Sequence, residues 1–156
     1  MAKSAGIVLF RNRGACVQVL LVHPGGPFWA RRDDGAWSIP KGEFGADETP
    51  EVAARREFSE EIGELPPGAL IALEPVAQSR AKTVHAFALE GDIDVAGVSS
   101  NIVTMEWPPR SGRSISFPEV DRANWFDLDV ARTKILAGQR PILEQLVAWI
   151  QRGDSA

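Results

Sequence analysis

Residues 42–64 read GEFGADETPEVAARREFSEEIGE, and this stretch decides how the rest of the chain is read. Glu57, Glu60 and Glu61 are spaced by three and four, which on a helix places them on one face, a turn apart. Like charges so close cost roughly 0.2–0.5 kcal/mol per pair. A sequence that concentrates them there points to a cation, and oxygen-only ligands point to Mg²⁺ or Mn²⁺. Thr49 suits the N-cap, Pro50 the first helical position and Gly63 the end, so a helix is predicted over residues 50–62. Ala54, Phe58, Ile62 and Leu65 form its opposite, apolar stripe, which should lie on a sheet. Ahead of the helix, Gly42 and Gly45 let backbone groups approach a metal or phosphate closely.

The spacing Gly42, Glu48, Arg56, Glu57, Phe58, Glu60, Glu61, Gly63 resembles the signature motif of the Nudix hydrolases. The family pattern asks for an aliphatic residue after the last glycine, where this chain has Glu64, a departure that touches helix-end packing and no metal ligand. The motif covers residues 42–64 of 156, and the flanking strand pattern extends the resemblance over the whole domain. It implies an α/β fold, a Nudix-type α/β/α sandwich with a mixed sheet. It also implies that Glu60, Glu61 and the Gly42 carbonyl bind metal, with Glu57 binding metal or taking the proton from water. Arg56 then orients Glu57, and Glu48 holds the loop. Many family members recruit a further acidic ligand from outside the motif, a place that Glu119 fills, with Glu106 as the competitor and an ordinary surface glutamate as the plain alternative. The entrance Trp-Ser-Ile-Pro-Lys-Gly, residues 37–42, is similar to that of the diadenosine polyphosphate and diphosphoinositol polyphosphate branches. That resemblance sets Lys41 beside phosphate, where an ammonium near a carboxylate and metal cluster needs an anion. An ion pair with Glu43 is the alternative.

A length of 156 residues suits one domain, residues 1–152, with 153–156 expected to fray. A net charge of −4 and a pI near 5.2 argue against a general nucleic-acid binder, so phosphates must be met locally. The single Cys16 excludes an internal disulfide and is read as core in an apolar strand. The N-terminus lacks the length of a secretory core, and no run of about 18 apolar residues occurs. The expectation is a cytoplasmic enzyme with no membrane partner, acting as a monomer or homodimer.

Strands are expected over residues 4–10 and 16–23 as a hairpin, then over 70–76, 83–89, 102–107 and around 124–126. Arg11 and Arg13 either face phosphate or solvate the hairpin turn. His85, among apolar strand residues, reads as structural, and Lys82 at a strand entrance reaches polyphosphate or solvent. A helix capped by Asp127 should run to Leu136 and end at Gly138, and Pro141 should start another with a core stripe of Ile142, Leu143, Leu146, Val147 and Ile150. With no tyrosine present, Trp29, Trp37, Phe87, Trp107 and Phe117 are the candidates for stacking on a base, Trp37 foremost.

The function expected is metal-dependent hydrolysis of a nucleoside diphosphate linked to another moiety, with diadenosine tetraphosphate cleaved to ATP and AMP as the leading substrate. Ordinary or oxidised nucleoside triphosphates, cleaved to a monophosphate and pyrophosphate, are the alternative. A nucleotide-binding sensor without turnover is the alternative of another class.

Overall fold

A computed structural model describes residues 2–96, 98 and 100–153. It orders the chain as strands β1 (Ala2–Arg13), β2 (Cys16–Pro24) and β3 (Lys41–Glu43), helix α1 (Pro50–Glu61), strands β4 (Ile71–Ala72), β5 (Val76–Ser79), β6 (Lys82–Glu90), β7 (Ile102–Glu106), β8 (Ser114–Pro118) and β9 (Val120–Asp127), then helices α2 (Leu128–Lys134) and α3 (Arg140–Gln151). The main sheet runs β4-β6-β1-β2-β9, with β3 also on β1 and β5 also on β6. Only β1 and β6 pair in parallel among these strands, so the sheet is mixed as expected.

Both faces of the sheet are covered, and strand alternation sorts the side chains between them. Val8, Phe10, Val19, Leu21, Val84, Ala86 and Ala88 pack under α2 and α3 with Ile142, Leu143 and Leu146. Ala5, Ile7, Leu9, Leu20, Val22 and Leu89 pack under α1 with Ala53, Ala54, Phe58 and Ile62. The three layers are the α/β/α sandwich. Thr49 caps α1 by accepting the Val52 N–H at 3.2 Å, and Gly63 follows with φ 131°, a value that favours glycine. Glu64 is exposed, and Leu65, one place later, packs on the α1 cluster.

One edge of β1 changes partner along its length. Its far end pairs with β2 at Phe10 to Arg13, while Ser4, Ala5 and Gly6 pair with β3. Lys41 and Gly42 therefore enter the sheet where β2 has turned aside to bridge Ser38. That split creates a crevice beside the α1 N-terminal loop.

Several sequence expectations are corrected. The strand over 70–76 is two short ones, because Pro75 has no N–H to donate and the Glu74 N–H bonds to Gln145 Oε1 at 2.8 Å. Cys16 is exposed, since it lies at the hairpin end beyond the covering helices. The helix after Asp127 stops at Lys134: Ile135 is extended and bridges Trp37, and the Asp127 carboxylate accepts from Gln18 instead of capping. Gly138 belongs to a short 3₁₀ turn, Ala137–Gln139, and ends no α-helix. Residues 154–156 of the tail expected to fray lie outside the described residues.

Gly138 lies so close to the Gln78 backbone carbonyl that a Cβ would collide with it. Gly138→Ala should therefore destabilise the fold by about 2 kcal/mol, since backbone, unlike a side-chain tip, cannot swing away. Urea unfolding would read this, and an unchanged midpoint would contradict the packing described.

Candidate active site

The α1 helix divides its acids by depth. Glu57 and Glu61 point to the seam between helix and sheet, 8 % and 6 % exposed, while Glu60 stands further out. Gly42, opposite, has no side chain for a geometric reason: a Cβ there would fall within the Glu57 carboxyl. Arg56 ties the group together. Its Nε and Nη2 each donate to Glu48 at 2.8 Å, forming a two-pronged fork, and its Nη1 donates to Glu57 at 2.9 Å and to Glu60 at 3.3 Å. The fork holds the Glu48 carboxyl below the ordinary carboxylate range and keeps Arg56 protonated. Glu48 thereby anchors the loop to the helix, as expected of it.

The seam is short of positive charge. Burial, reinforced by Glu60, pushes Glu57 upward against the pull of Arg56. Burial first, then Glu119 and Glu57, raises Glu61 to about 8, although Lys41 and its backbone N–H pull the other way. Lys41 is lowered by burial and by the nearby Lys82, with Glu61, Glu43 and Glu57 opposing. Glu43 is instead the partner of Lys82, at 3.5 Å. Lys41 is thus within electrostatic reach of Glu61, Glu43 and Glu57, and of Lys82.

Glu119 is exposed, yet its backbone is fixed by the Asn101 carbonyl and the Gly25 N–H, both at 2.9 Å, and it lines a pocket with Lys41 and Glu61. The competitor Glu106 is occupied elsewhere, both its oxygens accepting backbone N–H groups of Arg110 and Gly112 at the β7–β8 turn. Trp37 requires correction as a substrate contact. It is 3 % exposed, its indole donates to Asp33 at 2.8 Å, and His23 and Phe126 pack edge-on against it, leaving no face for a base. Arg11 and Arg13 both pair with Asp92, about 20 Å along β1 from the Gly42 partner Ala5. His85 packs edge-on against Phe44, consistent with a structural role.

Two anchors of the site had no visible sequence signal. Gln139, fully buried, accepts from the Ile39 N–H at 3.1 Å and donates to Ser38 Oγ and Gln78 Oε1, pinning the segment that leads into Lys41. His23, also fully buried, sets Nδ1 2.9 Å from Asp121 and Nε2 2.6 Å from the Arg32 carbonyl. A lone glutamine after a glycine, or a histidine before a proline, reads as surface unless its distant partners are known.

Among the described residues, no three acids converge on one point as a finished metal cage. The donor chemistry nonetheless fits a hard cation: the ligands are all oxygen, two are buried without full neutralisation, and Glu60 is held away only by a long bond to Arg56. Glu57, Glu60, Glu61, Glu119 and the Gly42 carbonyl are the groups that would hold it.

The NUDIX domain family matches residues 1–146 of this chain. The chain belongs to the Nudix family. An RNA pyrophosphohydrolase of Rhodospirillum rubrum is 31% identical over 155 residues, covering 85% of this chain and 83% of the relative. In fold, the Nudix chain resembles a C. elegans Ap4A hydrolase, with a TM-score of 0.64, 21% identity and coverage of 97% of this chain and 98% of that one. It also resembles the NUDIX domain of Shewanella oneidensis NrtR bound to ADP ribose, with a TM-score of 0.64, 19% identity and coverage of 95% and 87%. Nudix hydrolases generally use divalent metals, which agrees with the donor set. No helix among the described residues is long and apolar enough to cross a membrane.

The raised Glu61 gives the metal-free protein a defined pH dependence. Between about 4.5 and 8 the folded chain keeps a proton that the unfolded chain has lost, so stability falls as pH rises through that window. The metal-free unfolding temperature should decline from pH 5 to 8, and Glu61→Gln should flatten the decline and remove most stabilisation by added Mg²⁺. Superimposable pH profiles for the two proteins would refute this account.

Proposed function

We infer that this Nudix hydrolase cleaves a phosphoanhydride bond in a nucleoside diphosphate linked to another moiety, with Mg²⁺, or Mn²⁺ in its place. The observation that carries this reading is Lys41: a partly buried lysine within electrostatic reach of Glu61 and Glu57, lining with Glu61 and Glu119 a pocket whose other side chains are mostly apolar. A polyphosphate matches the charged part of the lining and the attached nucleoside matches the apolar part. When bound, a divalent cation supplies charge neutralisation across the polyphosphate, whose own oxygens otherwise repel a nucleophile.

The chain's residues then have separate tasks. Glu57 accepts a proton as water attacks phosphorus; the new P–O bond forms as the anhydride P–O bond breaks, and the leaving phosphate carries away the bond electrons. Arg56, braced by Glu48, fixes the Glu57 carboxylate so that one oxygen stays bonded to Nη1 and the other faces the seam. Lys41 meets the phosphate oxygens, with Lys82 close by. Glu60, Glu61 and Glu119, with the Gly42 carbonyl, would hold the cation, and Glu57 would join them where it does not take the proton.

Diadenosine tetraphosphate, cleaved to ATP and AMP, is the leading substrate, supported by the resemblance of the Trp-Ser-Ile-Pro-Lys-Gly entrance, residues 37–42, to the diadenosine polyphosphate branch. Simple nucleoside triphosphates, ordinary or oxidised, fit the same chemistry. A second reading takes the triphosphorylated end of an RNA as the substrate and is favoured by the Rhodospirillum rubrum relative, an RNA pyrophosphohydrolase with 31% identity. A net charge of −4 leaves such a substrate to be gripped at its end and not along its length.

Product analysis with Mg²⁺ over diadenosine tetraphosphate, nucleoside triphosphates and a 5′-triphosphorylated oligoribonucleotide should show ATP and AMP from the first as the fastest reaction. Faster release of pyrophosphate from the oligoribonucleotide would select the RNA reading. Glu60→Gln should lower kcat at least a hundredfold with the fold intact, and a wild-type chain without any turnover would instead make it a sensor. Lys41→Ala should raise KM about tenfold, and an unchanged KM would remove Lys41 from the phosphates.

A further inference from the structure

The pocket beside Lys41 has a volume of about 190 Å³, and its lining divides by chemistry. Lys41, Glu61 and Glu119 supply charge, whereas Trp29, Val22, Ile39, Val120 and Leu136 supply apolar surface. The one hydroxyl on the wall, Ser38 Oγ, is already satisfied, donating to the Ile39 carbonyl at 2.7 Å and accepting from Gln139 at 3.0 Å. The apolar part of the lining offers nothing to a phosphate. A flat group with apolar faces, such as one nucleobase, fits it.

Trp29 is the aromatic wall, and it is held in place before any ligand arrives. The ring is half-buried, partly packed against the core cluster, with Phe28 edge-on at 5.0 Å. Its carbonyl accepts the Arg32 N–H at 2.9 Å, and the Arg32 carbonyl is bound in turn to the buried His23 at 2.6 Å. At the other end of the loop, Gly25 donates to the Glu119 carbonyl at 2.9 Å. The loop carrying the aromatic is therefore tied to the same residue that supplies an acid to the pocket lining. A wall fixed in this way loses little entropy on stacking.

We propose that Trp29 is a specificity-determining residue of this enzyme, closing an apolar pocket next to Lys41 that takes the nucleobase of the substrate. This rests on the phosphoanhydride reading above and adds to it the place of the base. Stacking on an aromatic side chain contributes enough per base to change affinity about tenfold.

The test compares two probes, one with a nucleoside and one without: a non-hydrolysable methylene-bridged ATP analogue and inorganic tripolyphosphate carrying the same methylene bridge, each titrated with Mg²⁺ by calorimetry. Trp29→Ala should weaken the analogue about tenfold and tripolyphosphate less than twofold, while Trp29→Phe should recover most of the analogue's affinity. Equal weakening of both probes would make Trp29 merely structural and overturn the proposal. So would unchanged binding of the analogue. If wild-type protein binds tripolyphosphate but gains nothing from the nucleoside, the base pocket is wrong and the phosphate site stands. If it binds neither probe, the phosphoanhydride reading fails and the base pocket with it.

Discussion

Two carboxylates buried in the seam between α1 and the sheet are the constraint to which much of this structure answers. Glu57 and Glu61 lie one turn apart at 8 % and 6 % exposure, where burial and neighbouring carboxylates, Glu60 for the first and Glu119 for the second, oppose ionisation. The opposite flank of the helix offsets this: Ala53, Ala54 and Phe58 are fully buried, and Phe58 alone contributes about 2–3 kcal/mol. Gly42 leaves the space that the Glu57 carboxyl fills. Arg56 neutralises part of the charge from the solvent side, itself braced by Glu48. What stays uncompensated is the preference for a cation.

The sheet provides the opening for that seam by letting β1 change partner. β2 follows β1 only at its far end, and the β3 segment occupies the edge nearer the seam. A regular, fully paired edge would have sealed the crevice. The split costs backbone pairing, and buried polar side chains take over part of it: Gln139 receives the Ile39 N–H, and His23 binds the Arg32 carbonyl. Such replacements hold irregular backbone firmly because an unpaired buried N–H or C=O costs about 1–3 kcal/mol. The wall formed by Trp29 and the entry to Lys41 are thus rigid without being helix or strand.

The acid helix, its cap at Thr49, its end at Gly63 and its buried stripe were legible because each depends on neighbours three or four residues away. The alternation of Val84, Ala86 and Ala88 against Phe87 and Leu89 likewise marked a strand, and the structure packs one set into each of the two core clusters. Less was legible where a residue's environment comes from elsewhere in the chain. Cys16 sits in an apolar run but lies beyond the end of the helical layer, so it is exposed. Pro75 interrupts a run that hydrophobicity alone reads as continuous.

The sequence by itself therefore determined the family motif, the sandwich class and the identity of the acids, since these follow from spacing along one helix and from residue chemistry. Only the tertiary structure decided which aromatic lines the pocket beside Lys41. Trp37, next to the motif, is 3 % exposed and packed between His23 and Phe126, while Trp29, eight residues earlier in an unpatterned loop, is half-buried and lines the pocket. The tertiary structure also occupies Glu106 with backbone amides of the β7–β8 turn while setting Glu119 on the pocket lining. The physical reason is common to both. Local spacing fixes which face of an element a side chain occupies, whereas what that face meets is set by contacts some hundred residues away, such as Gln139 with Ile39.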